Sequence, residues 1–529
     1  MRLKCLRTAA PGGPLQLARR YATAPNDTSE RHVVRSINEL SIVHDEKRKE
    51  LKAEFSKDML ARRRLAVTWA ERKTRKSPSA DAAFTPLPLE RRRMSDSYLS
   101  WDLPLESDGK LLDEYIGADY QIRLGRLLED LDTLAGCVAY LHILPDIASF
   151  DDLDKYGVFL VTAAVDRIDA LESDLLSDGP EDLRMSGHVS YTSNSTMEIF
   201  MKLQSISESR GHAKQPKTLL VSRFTMACRD KATGRAKAIP QLVTGTSDED
   251  TLLRLGQQQR ERKQQTARAA LDKQPPRSSE IDLLHHLFLK NDIYGPSGRL
   301  PAKAIWINDT QLVSNTITQP VDRNVNATIF GGYLMRLAYE LAYATAVLFA
   351  RQKVSFLALD ELIFKLPVNI GELLNLKAAV TFAAAEGQHR SFQVSVFAST
   401  TNLSTHQSRS TNTFHFSFSC EEPLQRYVLP RQYLDAMDWL DAMRRQRIYR
   451  LRLRPPILGN APDISAVSLT NRFEWPNALS QASPRFFDHS WSIRDSSAHS
   501  FLAANRSQPL ASKRLLRQAH IVASSASIR

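Results

Sequence analysis

The sequence predicts an α+β protein in which one kind of unit occurs twice in tandem. The chain has 529 residues, and a single hydrophobic core stops growing near roughly 250–300 residues, so two domains are expected. Residues 90–240 and 280–422 also share one order of elements, an apolar helix followed by about four alternating strands. Each unit is therefore predicted to be an antiparallel sheet curved around a long buried helix.

The two regions before the first unit are predicted from their charges. Residues 1–26 carry five basic residues and no acidic one. A cationic segment with interspersed apolar residues is typical of a mitochondrial transit peptide, with a disordered basic arm as the alternative. This pattern predicts import into the mitochondrial matrix. Over 27–89, dense charges at helical spacing and then a Pro- and Ser-rich stretch predict a helical segment and linker.

The first unit is predicted from one helical and four strand-like patterns. Residues 122–142 have apolar side chains at helical spacing and predict the long helix. Alternating residues then predict the strands at 157–170, 184–192, 196–206 and 217–229. A linker is predicted over 241–279, because residues 257–279 show almost no core-forming pattern.

The second unit repeats this order and is followed by a basic extension. A strand is predicted at 304–318 and a helix with apolar residues nearly all round at 331–351. The following strands are predicted at 354–365, 371–383, 391–400 and 409–419. The extension, 423–529, is predicted to be largely disordered, with 430–454 as a candidate basic helix.

The distribution of charge and cysteine excludes several classes of protein. The net charge is +12, but the ends 1–26 and 443–529 contribute +5 and +10, so the middle has a net charge of −3 and no nucleic-acid partner is expected. No transmembrane segment is predicted, because the most apolar stretch is interrupted by Arg336 and Glu340. The four cysteines have neither metal-ligand spacing nor the density of a disulfide framework, so no metal site is expected.

Two helix entries resemble those of a known enzyme family. Residues 322–336 read DRNVNATIFGGYLMR, which resembles the Asn and Phe-Gly-Gly entry to the central helix of hotdog-fold acyl-coenzyme A thioesterases. Residues 358–374, ALDELIFKLPVNIGELL, resemble the next strand pair of that fold. Residues 123–136, RLGRLLEDLDTLAG, are similar to the mitochondrial acyl-coenzyme A thioesterase 9 group, whose chains carry two hotdog units. The resemblance covers about 90–420.

The resemblance implies the fold and the activity together. It implies two tandem hotdog units, each a curved antiparallel sheet wrapped around a long central helix. It also implies hydrolysis of fatty acyl-CoA to a free fatty acid and coenzyme A, without a metal or redox cofactor. By the habit of the family we expect a homo-oligomer, such as a trimer of double hotdogs.

The candidate catalytic residues come from the two helix entries. Gly331 and Gly332 would let an acyl group approach the backbone, where a free N–H could hold the developing oxyanion; the alternative is a tight helix entry with no ligand. Asp132 lies seven residues after Gly125, where related hotdog thioesterases carry a general base or nucleophile. Its neighbours Glu129 and Asp130 are competitors, and the alternative for all three acids is a solvated helix face.

Each half lacks a feature that the other has. The residue seven positions after Gly332 is Tyr339, and no Asn-containing entry precedes the first helix. We therefore expect one composite site, in which Asp132 of the first unit meets Asn326 and the Gly331–Gly332 turn of the second. Asn324 remains an alternative to Asn326.

Three further residues are candidates for substrate binding. Phe330 precedes the glycine pair, and Asn194 and Arg390 occupy matching turns of the two units. Arg390 would contact a phosphate of coenzyme A, with an exposed turn arginine as the alternative. Two other functions stay open from the sequence: a non-catalytic mitochondrial assembly or binding factor, and a hotdog acyl-CoA dehydratase.

Overall fold

The positions of the structured segments come from a computed structural model of the whole chain. It describes residues 84–118, 120–145, 155–171, 181–206, 217–290, 300–322, 328–360, 362–384 and 389–453. The predictions for the transit peptide, for most of 27–89 and for 454–529 lie outside these residues. All of the described residues belong to one compact unit of the chain.

The described residues contain two long central helices, flanking helices and one large sheet. The helices are α1 (Met94–Ser97), α2 (Gly109–Tyr115), α3 (Leu124–Ile143), α4 (Ser247–Arg268), α5 (Ser278–Lys290), α6 (Gly331–Ala350) and α7 (Tyr433–Leu453). The strands of the first half are β1 (Leu99–Leu103), β2 (Val158–Ala170), β3 (Leu183–Thr192), β4 (Thr196–Ser205) and β5 (Lys217–Asp230). Those of the second half are β6 (Ala304–Trp306), β7 (Leu312–Ile317), β8 (Val354–Leu359), β9 (Leu362–Ile363), β10 (Leu373–Phe382), β11 (Ser391–Thr401), β12 (Ser408–Cys420) and β13 (Tyr427–Leu429).

The strands of both halves join in one antiparallel sheet. Its order is β1-β3-β4-β5-β2-β8-β12-β11-β10-β7, and β9 pairs with β2. The junction between the halves is the short β2–β8 ladder, in which Ile168 pairs with Leu359. Arg167 bridges this junction, because its guanidinium contacts Asp360 at 2.7 Å and Asp169 at 2.5 Å. The two halves are therefore held together by backbone hydrogen bonds and by the part-buried ion pair between Arg167 and Asp360.

The two central helices pack against each other inside the sheet. Every residue of α3 except Arg126 is buried, including the acidic residues Glu129, Asp130 and Asp132. Helix α6 buries Met335, Ala338 and Ala342 and contacts both α3 and strands of its own half. The first half of the sheet covers α3 in the same way. Each half is thus a long helix enclosed by antiparallel strands, and no helix in the described part of the chain has the length and hydropathy of a membrane span.

Most of the predicted elements are confirmed, with one correction. The helices predicted at 122–142 and 331–351 correspond to α3 and α6, and the four strands after each helix are present, with 354–365 divided into β8 and β9. The single strand predicted at 304–318 is wrong. A 3₁₀ turn at Ile307–Thr310 divides it, and within this turn the Thr310 hydroxyl donates to the Ile307 carbonyl at 2.7 Å. The first part becomes β6, which pairs with β13, and the second becomes the edge strand β7.

Two helices outside the predicted units pack on the sheet. Helix α4 lies in the predicted linker, and its N-terminus is capped: the Thr246 hydroxyl accepts from the Glu249 N–H, and the Glu249 carboxylate accepts from the Gly245 N–H. Helix α7 lies beyond residue 422, and its Trp439 ring packs at a tilted angle against Phe382 of β10, with the ring centroids 5.2 Å apart. Each half of the sheet therefore has a helix on the face opposite its central helix.

A buried carboxylate lies beneath α4. The Glu198 side chain on β4 is 7% exposed, lies 3.9 Å from Arg223 and accepts a hydrogen bond from the Ser190 hydroxyl. Its carboxylate oxygen is 3.4 Å from the position that a Cβ on Gly256 of α4 would occupy, so the helix seals it from water. Burial raises the pKa of Glu198 from 4.5 to about 7, against the opposing effect of Arg223.

This shift predicts a pH dependence of stability. The folded-state pKa of Glu198 lies above its unfolded value of 4.5. Its contribution to the free energy of unfolding is therefore fully present below pH 4.5 and is lost as the pH rises towards 7. Between pH 5 and 7 the wild type should lose about 2 kcal/mol of stability relative to Glu198→Gln, which cannot ionise. Urea unfolding of both proteins at the two pH values measures this difference. Equal pH slopes for the two proteins would show that Glu198 is ionised in the fold.

Candidate active site

The central helices cross where glycine lets their backbones touch. A Cβ on Gly332, in the first turn of α6, would lie 2.9 Å from the Cα and 3.0 Å from the carbonyl oxygen of Glu129 on α3. At the other end of the crossing, a Cβ on Gly125 would lie 3.0 Å from Cγ of Arg336. Glycine is therefore required at 332 for a packing reason, which supports the tight-entry interpretation of Gly332. The close approach also brings the N-terminus of α6 to the middle of α3.

Asp132 faces this N-terminus directly. Its Oδ2 accepts a hydrogen bond of 2.6 Å from the Gly332 N–H, and the residue is 1% exposed. The same oxygen is 3.1 Å from the position of a Cβ on Gly331. The structure thus brings together three of the sequence-predicted residues, one from the first half and two from the second. The positive end of the α6 dipole stabilises the carboxylate in this position.

A threonine that the sequence analysis missed holds the other carboxylate oxygen. The Thr162 hydroxyl, on β2, donates to Asp132 Oδ1 at 2.7 Å. With Gly332 on Oδ2, the carboxylate is held from two sides and its orientation is fixed. The signal in the sequence is weak, because a threonine within the alternating residues 158–170 is ordinary for a strand.

The structure separates Asp132 from its two competitors. Glu129 receives a hydrogen bond from Arg126 at 3.0 Å and lies 3.6 Å from Arg336, so it forms part of an ion-pair cluster. Asp130 accepts a hydrogen bond of 2.5 Å from the Tyr115 hydroxyl. All three acids are buried, so the alternative of a solvated helix face is wrong. Of the three, Asp132 is the one hydrogen-bonded to the glycine turn.

The segment that precedes the glycine turn is described only in part. Asn326 and Asn324 lie outside the described residues, so their positions relative to Asp132 stay predictions. Phe330 is the N-cap residue of α6, and its ring is 2.7 Å from the Cβ position of Gly332. The Phe364 ring, which the sequence analysis did not single out, lies 3.1 Å from the Cβ position of Gly331. The two aromatic rings form an apolar wall beside the turn.

Tyr333, in the first turn of α6, forms a pair with Asp322. Burial, together with the nearby Asp322 carboxylate, raises the pKa of the Tyr333 hydroxyl to about 12. Burial also raises the pKa of Asp322, although Tyr333 donates to it. The Arg336 guanidinium lies 5.2 Å from the centre of the Tyr333 ring. Tyr333 is therefore a neutral hydrogen-bond donor at neutral pH and fixes the chain just before residues 323–327.

The two turn residues proposed for substrate binding are both exposed. Asn194 is exposed, and its carbonyl accepts a hydrogen bond from the Ile239 N–H at 3.0 Å. Arg390 is also exposed, and its carbonyl accepts a hydrogen bond from the Cys420 N–H. Cys420 of β12 in turn pairs with Val354 of β8. Arg390 therefore lies in the second half of the sheet, in one row with Val354 and two strands away from it.

A metal-dependent reaction has no candidate ligand set in the described residues. No group of three or more His, Cys, Asp or Glu side chains there has the arrangement that could hold a metal ion. The acids at the helix crossing are instead paired with Arg126, Tyr115, Thr162 and Gly332. The chemistry that the described residues offer at this crossing is that of a fixed carboxylate beside a helix N-terminus.

Comparison with known proteins gives close sequence relatives. The chain is 34% identical over 360 residues to mouse mitochondrial acyl-coenzyme A thioesterase 9, which covers 67% of this chain and 78% of the relative. The human protein of the same name gives the same identity and coverage. Mitochondrial acyl-coenzyme A thioesterase 4 of Humulus lupulus is 33% identical over 352 residues, covering 63% of this chain and 64% of that protein. No protein-family model matches the chain.

Comparison with solved structures gives matches with low TM-scores. An apo-hexameric acyl-CoA thioesterase is 23% identical, with a TM-score of 0.26, and covers 28% of this chain and 97% of its own. A putative oleoyl thioesterase from Lactobacillus plantarum is 9% identical, with a TM-score of 0.36, and covers 61% of this chain and 95% of its own.

Proposed function

The chain belongs to the mitochondrial acyl-coenzyme A thioesterase 9 group, and we propose that its two halves build one composite active site around Asp132. As a member of this group it is an acyl-CoA thioesterase, a hydrolase that releases coenzyme A and a free carboxylic acid from an acyl-CoA. The observation that carries the composite site is the 2.6 Å hydrogen bond between Asp132 of the first half and Gly332 of the second.

The proposed reaction uses the fixed carboxylate as a general base. Asp132 would take a proton from a water molecule as that water attacks the thioester carbonyl carbon, and the C–S bond would break to release the thiolate of coenzyme A. Thr162 and Gly332 hold the carboxylate in one orientation, which reduces the entropic cost of reaching the reactive geometry. The proton returns to the leaving sulfur.

The N-terminus of α6 is the proposed site of oxyanion stabilisation. The first N–H groups of a helix have no partner within the helix, and the helix dipole favours negative charge there. Gly332 N–H is occupied by Asp132, so we assign the thioester oxygen to the Gly331 N–H and to the side-chain amide of Asn326. Gly331 has no side chain to block the approach of the acyl group, and Phe330 and Phe364 would line the path of its first carbons.

The fold is proposed to be a tandem pair of hotdog units. Each half has one long buried helix enclosed by antiparallel strands, in the same order along the chain. We propose a first unit over 90–240 and a second over 280–422. Helices α4 and α7 would be additions that pack on the outer faces.

The assembly is proposed to be a homo-oligomer, such as a trimer of these double units. The edge strand β7 exposes Val313 and Ile317, which are 54% and 47% accessible. An exposed apolar edge strand is a surface that a second copy would cover. Light scattering after gel filtration gives the mass. A trimeric mass that falls to that of the monomer in Val313→Lys is expected, and a wild-type monomer contradicts the proposal.

The location is proposed to be the mitochondrial matrix. Relatives named as mitochondrial proteins support a mitochondrial location, and the basic segment 1–26 has the pattern of an import sequence. Fusing residues 1–26 to a fluorescent protein should direct that protein to the matrix. A fluorescent protein that stays in the cytosol would contradict the proposed role of this segment.

The two alternative functions are not favoured. A dehydratase would need an Asp and a His on one unit, and the described helix entries contain no histidine. A non-catalytic factor would gain support from a solvated Asp132, but this residue is buried against the other half. The relatives carry the names of enzymes.

The test is release of coenzyme A, measured with a thiol reagent, from acyl-CoAs with chains from acetyl to palmitoyl. The full chain is expected to hydrolyse acyl-CoAs over a contiguous range of chain lengths. The longest good substrate would give the length of the acyl-binding site. A folded protein that releases no thiol from any member of the series would overturn the hydrolase function.

A further inference from the structure

A cavity lies at the opposite end of the helix crossing. Its volume is about 310 Å³, and it is lined by residues of both halves, among them Arg123, Gly125, Tyr339, Tyr343, Lys353 and Phe356. The residues assigned to the reaction, Asp132, Thr162 and Gly331, do not line it. The cavity is therefore separate from the proposed active site.

The position of the cavity mirrors that of the active site. Gly125 lies in the first turn of α3 as Gly332 lies in the first turn of α6, and a Cβ on either would crowd the facing helix, at 3.0 Å from Arg336 and 2.9 Å from Glu129. Tyr339 follows Gly332 by seven residues, as Asp132 follows Gly125. Where the active site has a carboxylate facing a helix N-terminus, the cavity thus has the Tyr339 ring. A site with this geometry can bind an acyl compound but has no carboxylate base at the position of Asp132.

The inner wall of the cavity is aromatic. The Tyr339 ring is stacked on Tyr343 with centroids 6.1 Å apart and meets Phe356 edge-on at 5.8 Å. Tyr339 also touches the buried rings of Phe416 and Phe418. Together these rings form an apolar surface continuous with the core, which suits an alkyl chain rather than a polar ligand.

The mouth of the cavity is cationic. Two basic residues, Arg123 and Lys353, and one acidic residue, Glu340, line it, which leaves a net positive charge, and the N-terminus of α3 adds the positive end of a helix dipole. Arg123 lies 3.3 Å from Glu340, but both side chains are more than a third exposed, at 40% and 44%. An ion pair this exposed contributes little to stability. Arg123 can therefore leave Glu340 and contact an incoming anion instead.

We propose that this cavity binds an acyl chain with an anionic head group and does not hydrolyse it. The shared chemistry fits two compounds, a free fatty acid and an acyl-CoA, which are the product and substrate of the proposed function on which this inference rests. A carboxylate would lie between Arg123 and the N-terminus of α3, with the chain against Tyr339 and Tyr343. An acyl-CoA would in addition place its phosphates near Arg390, which shares a row of the sheet with Val354 at the cavity.

Equilibrium binding to the full Asp132→Asn chain tests the proposal without turnover. The ligands are decanoate, a decanoyl-CoA analogue with a thioether in place of the thioester, and decanol as an uncharged control. Decanoate, the thioether or both should bind, and Arg123→Glu should weaken that binding about tenfold or more, while decanol binds weakly to both proteins. Arg254→Glu, a charge reversal on the exposed face of α4, should leave affinity unchanged.

The ligand that binds identifies the source, and the variants identify the site. Only the binding that Arg123→Glu weakens is assigned to the cavity, because the thioether also fits the proposed active site. Weakened binding of decanoate alone assigns the cavity to the free acid, and weakened binding of the thioether alone assigns it to the acyl-CoA. If Arg123→Glu fails to fold, Lys353→Glu at the same mouth should give the same loss. Equal binding of decanol, or unchanged affinity in the charge-reversal variant that folds, would overturn the proposal. Thiol release by the wild type is measured separately, so loss of the proposed function and loss of this site give different results.

Discussion

Asp132→Asn is expected to lower kcat/KM for acyl-CoA hydrolysis by about 10²–10⁴-fold, the range that general bases contribute. The amide has the shape of the carboxylate, and its oxygen can still accept from the Gly332 N–H at the 2.6 Å contact. It cannot, however, take a proton from water. KM should change little, because the carboxylate is not expected to touch the acyl chain or coenzyme A. Thiol release over a series of substrate concentrations separates the two constants.

Asp130→Asn is the matched control for this substitution. It makes the same chemical change two residues earlier on α3, at a carboxylate that is 1% exposed and bonded to Tyr115. We expect lower stability and a nearly unchanged kcat. If Asp132→Asn kept full activity, or if both variants lost activity equally, Asp132 would not be the base.

Gly332→Ala is expected to destabilise the protein by about 1–3 kcal/mol, the usual cost of overpacking a core. The new Cβ would stand 2.9 Å from the Cα and 3.0 Å from the carbonyl oxygen of Glu129, and backbone atoms cannot rotate away as a side chain would. The helices must separate, which also moves the Gly332 N–H from Asp132. The midpoint temperature of thermal unfolding and the rate of thiol release should therefore both decrease.

Gly136→Ala is the control that isolates crowding from helix propensity. Gly136 is also buried, on α3, but a Cβ there has no atom within 4 Å. Alanine should raise stability by up to about 1 kcal/mol at this position, because it loses less conformational entropy than glycine when the helix forms. Equal stability changes at 136 and 332 would contradict the close helix approach.

The helices and strands of the two halves could be predicted because their patterns are strong. Helix α6 is apolar nearly all round, and a helix of that kind must be enclosed, which led directly to a sheet wrapped around it. The 3₁₀ turn at 307–310 could not be predicted, since it depends on contacts with distant residues such as Asp435, to which the Asn308 amide donates. Helix α4 had a local signal, the N-cap residue Thr246 followed three residues later by Glu249, that the polar composition after it obscured.

The candidate site could be predicted only in part. Spacing from Gly125 selected Asp132, but Glu129 lies on nearly the same side of the helix, so helical phase alone did not separate them. The separation comes from partners that are remote in sequence: Arg336 pairs with Glu129, whereas Thr162 and Gly332 bind Asp132. Arg390 was selected by its turn, but its place in the sheet depends on β12 and β8, which the local sequence does not reveal.

The central claim, that two halves of the chain act on one carboxylate, is tested most directly by a double-mutant cycle between Thr162→Val and Gly331→Ala. Thr162 of the first half holds Asp132 Oδ1, and a Cβ on Gly331 of the second half would press on Oδ2 from 3.1 Å. The cycle compares kcat/KM of the wild type, both single variants and the double variant. Because both changes displace the same group, the combined loss should differ from the product of the single losses, with a coupling energy of at least about 0.5 kcal/mol. Losses that multiply to within about 0.3 kcal/mol, as for independent sites, would contradict a composite active site.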